Sequence, residues 1–390
     1  MRPPRSNVAR RYPGTYWTKL AAAGKSRRDT ENRTADLFGY DFGVLFGRGR
    51  SALTALLETV GNNKDTPFLL PSNICPSVVA AAVAAKIKIV TVPVDNTTGL
   101  PTDISFCKAM EEFPTPGVVM LAHLYGFKGE YDQTLALAKN NGWFVLENDT
   151  AAVTARDSAQ AKKLAVGDAL LVSFGAGKVL NGGAGGGLLS DDGGLIKSLS
   201  KQAAHYPLLD EVAEATEAQL MMVRRLLRND PVGTSNMISL YEKFLPYEIS
   251  GTRFALPETF DDQILSALDR VAEEREKRCY HVEEWRQAMA HVGADVICSP
   301  LAQPSPWRFV ARLKKHRNEV VAVLRMADVD VGTNYPPVQE FFPRTIDSVV
   351  QESSRAWGEQ VLNLWLTADY DMARKNDVAA KIAVTMAKQG

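Results

Sequence analysis

Lys178 stands between an apolar segment, Ala169 to Val172, and a glycine-rich run, Asn181-Gly182-Gly183-Ala184-Gly185-Gly186-Gly187. A second apolar segment, Trp143 to Leu146, ends in Glu147-Asn148-Asp149. Asp149 and Lys178 are 29 positions apart, about the length of one strand–crossover–strand unit. Two neighbouring strand ends would then present one carboxylate and one amine to a single crevice. An amine in such a place can bond an aldehyde as a Schiff base, and a carboxylate can keep a pyridine nitrogen protonated. That pairing is what pyridoxal 5'-phosphate chemistry requires.

Other residues fit around this pair. Ser173, at the strand end five positions before Lys178, can offer its hydroxyl to a phosphate. The glycines beside Lys178 allow backbone to lie close against a flat ring. Gly47-Arg48-Gly49-Arg50-Ser51 precedes a helical pattern, so its amides would form an anion site at a helix start, with Arg50 adding charge. His123 closes another apolar strand and would share the same crevice. Each residue also has a plainer reading. Lys178 could be a loop lysine, Asp149 a helix cap, the arginines solvated side chains, and His123 a structural group bound to a carbonyl.

Two nucleotide-binding readings fail on spacing. Gly177-Lys178 looks like the end of a P-loop, but the earlier glycine would fall on Val172, and Val179 stands where Ser or Thr would bind magnesium. Gly175-Ala176-Gly177 opens a dinucleotide fingerprint, yet Leu180 occupies its last glycine slot.

The elements that must hold these groups alternate. Over residues 40–200 the pattern gives a helix from Ser51 to Val60, a strand from Phe68 to Leu70 and a helix from Pro76 to Ala85. Strands follow at Ile87–Val94 and Val118–Leu124, then a helix at Thr134–Asn140 and the two strands already described. Repeated strand–helix alternation predicts an α/β layer with a mostly parallel sheet. Beyond residue 250 come a long charged helical stretch (Phe260–Met289), a strand (Trp307–Arg312), a helix (Asn318–Ala327), a strand (Val361–Leu366) and a closing helix (Asp377–Lys388). The expected division is a basic arm over 1–35, a large α/β domain over 36–250 and a smaller α+β domain over 251–390.

Composition narrows the function. With 390 residues the chain can bury two or three cores. Lys+Arg and Asp+Glu both number 45, so no bulk field draws it to nucleic acid or an anionic membrane. Val78 to Val92, the longest apolar run, is broken by Lys86 and Lys88 and is too short to span a bilayer. The N-terminal residues show no secretory pattern. Cys75, Cys107, Cys279 and Cys298 lie far apart without metal-ligand spacing, which points away from zinc and from a disulfide framework. A cytoplasmic protein is expected.

Taken in order, these segments resemble the DegT-type (DegT/DnrJ) sugar aminotransferases, within the fold type I PLP-dependent transferases. The resemblance runs from about residue 35 onward. It rests on Gly49-Arg50-Ser51-Ala52-Leu53, Pro71-Ser72-Asn73-Ile74-Cys75, His123-Leu124-Tyr125-Gly126, Asp149, Ser173-Phe174 with Lys178, and Gly185-Gly186-Gly187. Asn334-Tyr335-Pro336 and Asn363-Leu364-Trp365 resemble the family's small-domain segments.

The resemblance implies that Lys178 forms the Schiff base and shuttles the proton, and that Asp149 pairs with the pyridine nitrogen. It also implies that Ser173 and the amides around Gly49, Arg50 and Ser51 hold the phosphate. The family forms homodimers with shared sites, and Arg253 is the residue expected to reach a partner's site. Lysine at 178 separates the chain from relatives that are dehydratases with histidine there. Cys75 stands where the family carries a ring that stacks on the cofactor, and Ala152 where it carries glutamine. The function implied is a ping-pong aminotransferase taking an amino group from glutamate or glutamine to a keto sugar, a keto-cyclitol or a related secondary-metabolite ketone. A PLP-dependent lyase, racemase or carbon–carbon bond-forming enzyme, and a catalytically silent regulatory member, are the alternatives left open.

Overall fold

The computed structural model describes residues 26–61, 64–153, 166–213, 234–290, 296–298, 305–346 and 348–387, with a few single positions between them. Most of the basic arm expected over 1–35 lies outside these residues. Its last part is the start of a helix, α1 (Arg27–Phe38), capped by the Ser26 hydroxyl and closed by Gly39 in the left-handed conformation.

The large layer is built by β1 (Phe42–Phe46), α2 (Gly49–Val60), β2 (Pro67–Pro71), α3 (Pro76–Ala84), β3 (Lys88–Val92) and α4 (Asp103–Glu111). It continues with β4 (Val118–Ala122), α5 (Asp132–Asn141), β5 (Phe144–Asn148), β6 (Ala169–Ser173), β7 (Gly186–Ser190) and α6 (Gly193–His205). Then come α7 (Thr234–Ser250), α8 (Asp261–Asp269) and α9 (Val271–Met289). The smaller layer holds β8 (Val296–Cys298), β9 (Phe309–Leu313), α10 (Arg317–Met326), α11 (Glu352–Gln360), β10 (Val361–Leu364) and α12 (Met372–Ala387).

Seven strands form one sheet in the order β1-β7-β6-β5-β4-β2-β3. The five strands β6, β5, β4, β2 and β3 pair in parallel, while β7 is antiparallel to both β6 and β1. The mostly parallel α/β architecture expected from the alternation is therefore present. Strands such as β2 and β4 are buried along their whole length because helices cover both faces. On one face Leu70, Met120 and Leu146 pack with Leu56, Val79 and Ala81 from α2 and α3. On the other, Leu69, Val119 and Val145 pack with Phe106 and Ala138 from α4 and α5.

A three-stranded antiparallel sheet, β10-β9-β8, forms the second unit with α9, α10 and α12 around Trp285, Leu313 and Ile382. The single long helix expected over Phe260–Met289 is instead two helices, α8 and α9, separated at Arg270. Leu256, Ile264 and Leu268 pack with Phe38, Leu170 and Leu189, so the chain stays on the large sheet past residue 250. We therefore propose the division between the units near the start of α9 rather than at 250/251. Among the described residues no helix is long and apolar enough to cross a membrane.

Candidate active site

The parallel strands bring their carboxyl ends to one edge, where an open α/β sheet binds ligands. Cys75, His123 and Asp149 follow such ends, those of β2, β4 and β5, and Ser173 is the last residue of β6. β5 and β6 are direct neighbours in register Asn148↔Leu171, and the Asp149 amide donates to the Leu171 carbonyl at 2.9 Å. The 29-residue interval thus spans two adjacent strands, as the spacing required.

Asp149 is buried, with Oδ1 sealed from solvent. The turn after it is closed by its neighbour: the Asn148 side chain accepts from the Thr150 amide and hydroxyl at 3.2 and 2.8 Å. Among the described residues no helix starts there. Ala152 is buried behind it, its amide turned to the Asp149 carbonyl at 3.4 Å.

His123 is also buried, and its Nε2 lies 2.8 Å from Glu147 Oε2. Burial pushes the Glu147 carboxyl up, but His123 and the amides of Gly167 and Val166 outweigh it and hold it below the usual carboxylate range. The structure thus assigns the His123 ring a carboxylate partner on the next strand.

Lys178 lies on the loop after β6, in a turn closed by its own amide on the Gly175 carbonyl at 3.1 Å. Gly177 takes φ +80°, a conformation that suits glycine. A side chain there would also press on Trp365, at 3.3 Å. The Trp307 indole donates to the Gly177 carbonyl at 3.0 Å and lies under the Lys178 amine, 4.8 Å from Nζ to the ring centre. The residue keeps some contact with solvent, yet the groups packed around the amine strip enough water to pull its pKa to about 8. Coulombic coupling to Cys75 opposes that shift and the charge of Arg308 adds to it. A 370 Å³ cavity opens beside Lys178, lined by Gly177, Asn181, Arg270 and Trp365 among others, on a side that neither Asp149 nor Ser173 reaches.

The anion site forms where α2 begins. Arg48 is the N-cap, and its side chain caps none of the helix amides, while the Ser51 amide bonds the Arg48 carbonyl at 3.1 Å. Gly49 faces Ser173: a Cβ at 49 would stand 3.8 Å from Ser173 Oγ and fill the space between helix start and hydroxyl. β7 closes the back of this cradle, since any Cβ at Gly186 would overlap the Gly49 amide. The side chains of Arg50 and Ser51 are turned elsewhere. The Arg50 guanidinium pairs with Glu248 at 3.3 Å and the Gly251 carbonyl at 3.0 Å. Ser51 Oγ accepts from the Phe254 amide at 3.3 Å. Arg253 pairs with Glu58 and the Ala84 carbonyl, away from the crevice of its own chain.

Three side chains near Lys178 were not singled out from sequence. Trp307 and Arg308 enter from the start of β9, and Trp365 from the end of β10. The Arg308 guanidinium lies 4.5 Å from the Trp307 ring centre and 2.7 Å from that of Trp365. The Trp-Arg pair at a strand start was the available signal, though nothing local tells which element it faces.

A buried strand-end aspartate, a lysine amine held near neutrality and a helix-start cradle beside a serine fit a group with a pyridine ring, an aldehyde and a phosphate. No curated protein matches the sequence. Solved structures match over nearly the whole chain. An aminotransferase, TlmJ, from Streptoalloteichus hindustanus is 17% identical with a TM-score of 0.73, over 99% of this chain and 97% of that one. PseC of Helicobacter pylori, an aminotransferase involved in the biosynthesis of pseudoaminic acid, is 13% identical with a TM-score of 0.74, over 98% and 97%. A synthase of 3-amino-5-hydroxybenzoic acid is 16% identical with a TM-score of 0.69, over 92% and 90%. At such identities these likenesses speak for the fold. The sequence model of one family covers residues 15–383, and by that match the chain belongs to the DegT/DnrJ/EryC1/StrS aminotransferase family of PLP-dependent enzymes.

Proposed function

We propose that this enzyme moves an amino group from glutamate or glutamine to a keto sugar, a keto-cyclitol or a related secondary-metabolite ketone. The observation that carries the reading is Lys178: a lysine whose amine sheds its proton near pH 8, set at the sheet edge that holds Asp149 and Ser173. When bound, pyridoxal 5'-phosphate supplies an electron sink that stabilises a carbanion at the carbon bearing nitrogen. Lys178 would hold that group through its amine, and its Nζ would take up the proton from the donor carbon. A pKa near the working pH suits both duties, since an ordinary lysine is almost wholly protonated there. Asp149 would set its charge toward the ring nitrogen, and the cradle of Gly49, the Arg50 amide and Ser173 would hold the phosphate.

The neighbours support a carbonyl acceptor in sugar or related biosynthesis, since PseC serves pseudoaminic acid and another relative makes an amino-hydroxybenzoic acid. We further propose a cytoplasmic homodimer in which Arg253 serves the partner's site. Borohydride reduction of the cofactor-loaded protein, followed by digestion, tests the first claim, with the tag expected on the Lys178 peptide. A tag elsewhere overturns it. Conversion of the cofactor to its amine form by glutamate or glutamine tests the second, and the absence of that conversion with both donors overturns transamination.

A further inference from the structure

We propose that Arg312 and Arg317 form a phosphate site in the small unit, where β9, α10 and β10 meet, separate from the cradle at α2. The site takes a tetrahedral oxyanion, either inorganic phosphate or the phosphate of a small monoester.

Two desolvated cations stand together there without a counter-charge in contact. Alternation along β9 sends Phe309, Ala311 and Leu313 into the small core and Val310 into the core of the large sheet. Arg312 shares the face of Val310 and is 5% exposed. Its Nε and Nη2 both reach one neutral acceptor, Gln360 Oε1, at 3.3 and 2.9 Å, while Nη1 is sealed from solvent and makes no hydrogen bond. Val361, which follows Gln360, is the cross-strand partner of Arg312, and its carbonyl accepts from Arg317 Nη1 at 3.4 Å. Arg317 Nε is likewise sealed and unbonded. Two guanidiniums thus converge on the Gln360–Val361 link, each with a nitrogen unused.

The nearby carboxylates act only at a distance, Asp95 on Arg312 and Glu359 on Arg317. Asp95 is turned to its own loop, where it accepts from the Thr97 and Thr98 amides at 2.8 and 2.9 Å, and Glu359 is exposed. Burial therefore holds the Arg312 guanidinium below the usual arginine range and pulls that of Arg317 to about 10. α10 adds a third pole of the same sign, since it starts at Arg317 and its N-cap, His316, supplies no side-chain hydrogen bond. Lys314 and Lys315, exposed just before it, extend the positive field. A buried charge without a partner is costly, and an anion shared by two guanidiniums removes that cost. Donors from a strand and from a helix start converge from different directions, which suits a tetrahedral oxyanion better than a flat carboxylate.

The test is equilibrium dialysis of PLP-loaded protein against radiolabelled inorganic phosphate, with potassium chloride at matched ionic strength as the control for screening. Wild type should hold one phosphate per chain, and no binding above the control overturns the proposal without any variant. Arg312→Met and Arg317→Met, checked for folding by circular dichroism, should each weaken binding by at least about tenfold, the loss typical of a charge-assisted bond. Arg312→Lys, which keeps the charge and loses the fork, should fall between. Phosphate held equally by both Met variants overturns the proposal, and should one of them fail to fold, the other and the wild type still decide. Stability separates a ligand role from a structural one. In chloride, Arg312→Met should have a urea midpoint no lower than wild type, because an apolar chain replaces an unpaired desolvated charge, whereas in phosphate the wild type should be the more stable. A midpoint lowered equally in both salts makes Arg312 structural and overturns the proposal. Glycerol 3-phosphate that displaces the label assigns monoesters as ligands, and its failure to do so assigns free phosphate.

Discussion

The candidate site draws on two walls, and they come from different parts of the chain. The floor is made of consecutive strand ends and one helix start, with Asp149 after β5, Ser173 at the end of β6 and Gly49 at the start of α2. The roof comes from the small sheet, whose strands β9 and β10 deliver Trp307, Arg308 and Trp365 from more than 100 positions further along. The floor supplies groups that fit one cofactor and would serve any member of the family. The roof supplies two aromatic planes and a cation, which are means of choosing a substrate. Damage to the floor should therefore abolish turnover, and damage to the roof should change affinity, stability or the state of the amine.

The largest effect belongs to the residue the two walls share. Lys178→Ala should lower transamination by at least about 10³–10⁴-fold, because one group is lost as both nucleophile and proton carrier. Steady-state turnover and the loss of the lysine-linked visible absorption check it together. Retention of turnover within tenfold would place the reactive amine elsewhere.

Asp149→Asn comes next and probes the floor alone. The amide keeps the shape and removes the charge that favours a protonated ring nitrogen, so kcat should fall by about 10²–10³-fold, as when a preorganised charge is removed. KM for the donor should change little, because the roof is intact. A variant with lowered affinity and unchanged kcat would reverse the assignment of roles between the walls.

The contrast between walls is also one of legibility. Floor residues were readable because a strand end fixes a residue's place with little help from afar: the 29 positions between Asp149 and Lys178 were enough to put them after adjacent strands, β5 and β6. The alternation of apolar segments gave β2 to β6 and the helices between them. β1 and β7 were missed because their pattern is masked, β7 by Gly186-Gly187 and β1 by Gly43, which packs against Leu189. Arg50 looked like a phosphate ligand from its loop, but its side chain is drawn to Glu248, 198 positions away, which no local signal announces. The roof failed for the same reason. Trp307 and Arg308 read as the start of a strand, and only the close approach of Gly126 to Ser305 and Pro306 decides that this start faces Lys178.

That close approach supplies a prediction for the join between the walls. Gly126→Ala would put a methyl group into the Ser305 carbonyl and strain a backbone at φ +95°. A cost of about 2–3 kcal/mol is expected from strain and displacement together. Urea unfolding should show a lower midpoint with an unchanged slope. The roof should also shift, so the glutamate KM should rise more than kcat falls. Full stability in this variant would mean that the two sheets meet with more freedom than the contacts describe.

The smallest effect concerns the proton on Lys178 and sets both walls against each other. Desolvation lowers the amine to about 8, coupling to Cys75 opposes this from the floor side, and Arg308 reinforces it from the roof. In the unfolded chain the same amine titrates near its ordinary value of about 10.4. Between these two values the unfolded chain holds a proton that the native one has released, so this group makes stability rise with pH across that window. Below pH 8 both states are protonated and the native state bears the full penalty of a desolvated charge. In cofactor-free protein, trinitrobenzenesulfonate should therefore label Lys178 with a midpoint near pH 8, well below the bulk lysines. Arg308→Met should move that midpoint upward, and Cys75→Ser should move it downward by removing the coupling to Cys75. Opposite shifts from the two substitutions would confirm that the amine is poised between the walls, whereas a midpoint indifferent to both would leave burial alone in control of it.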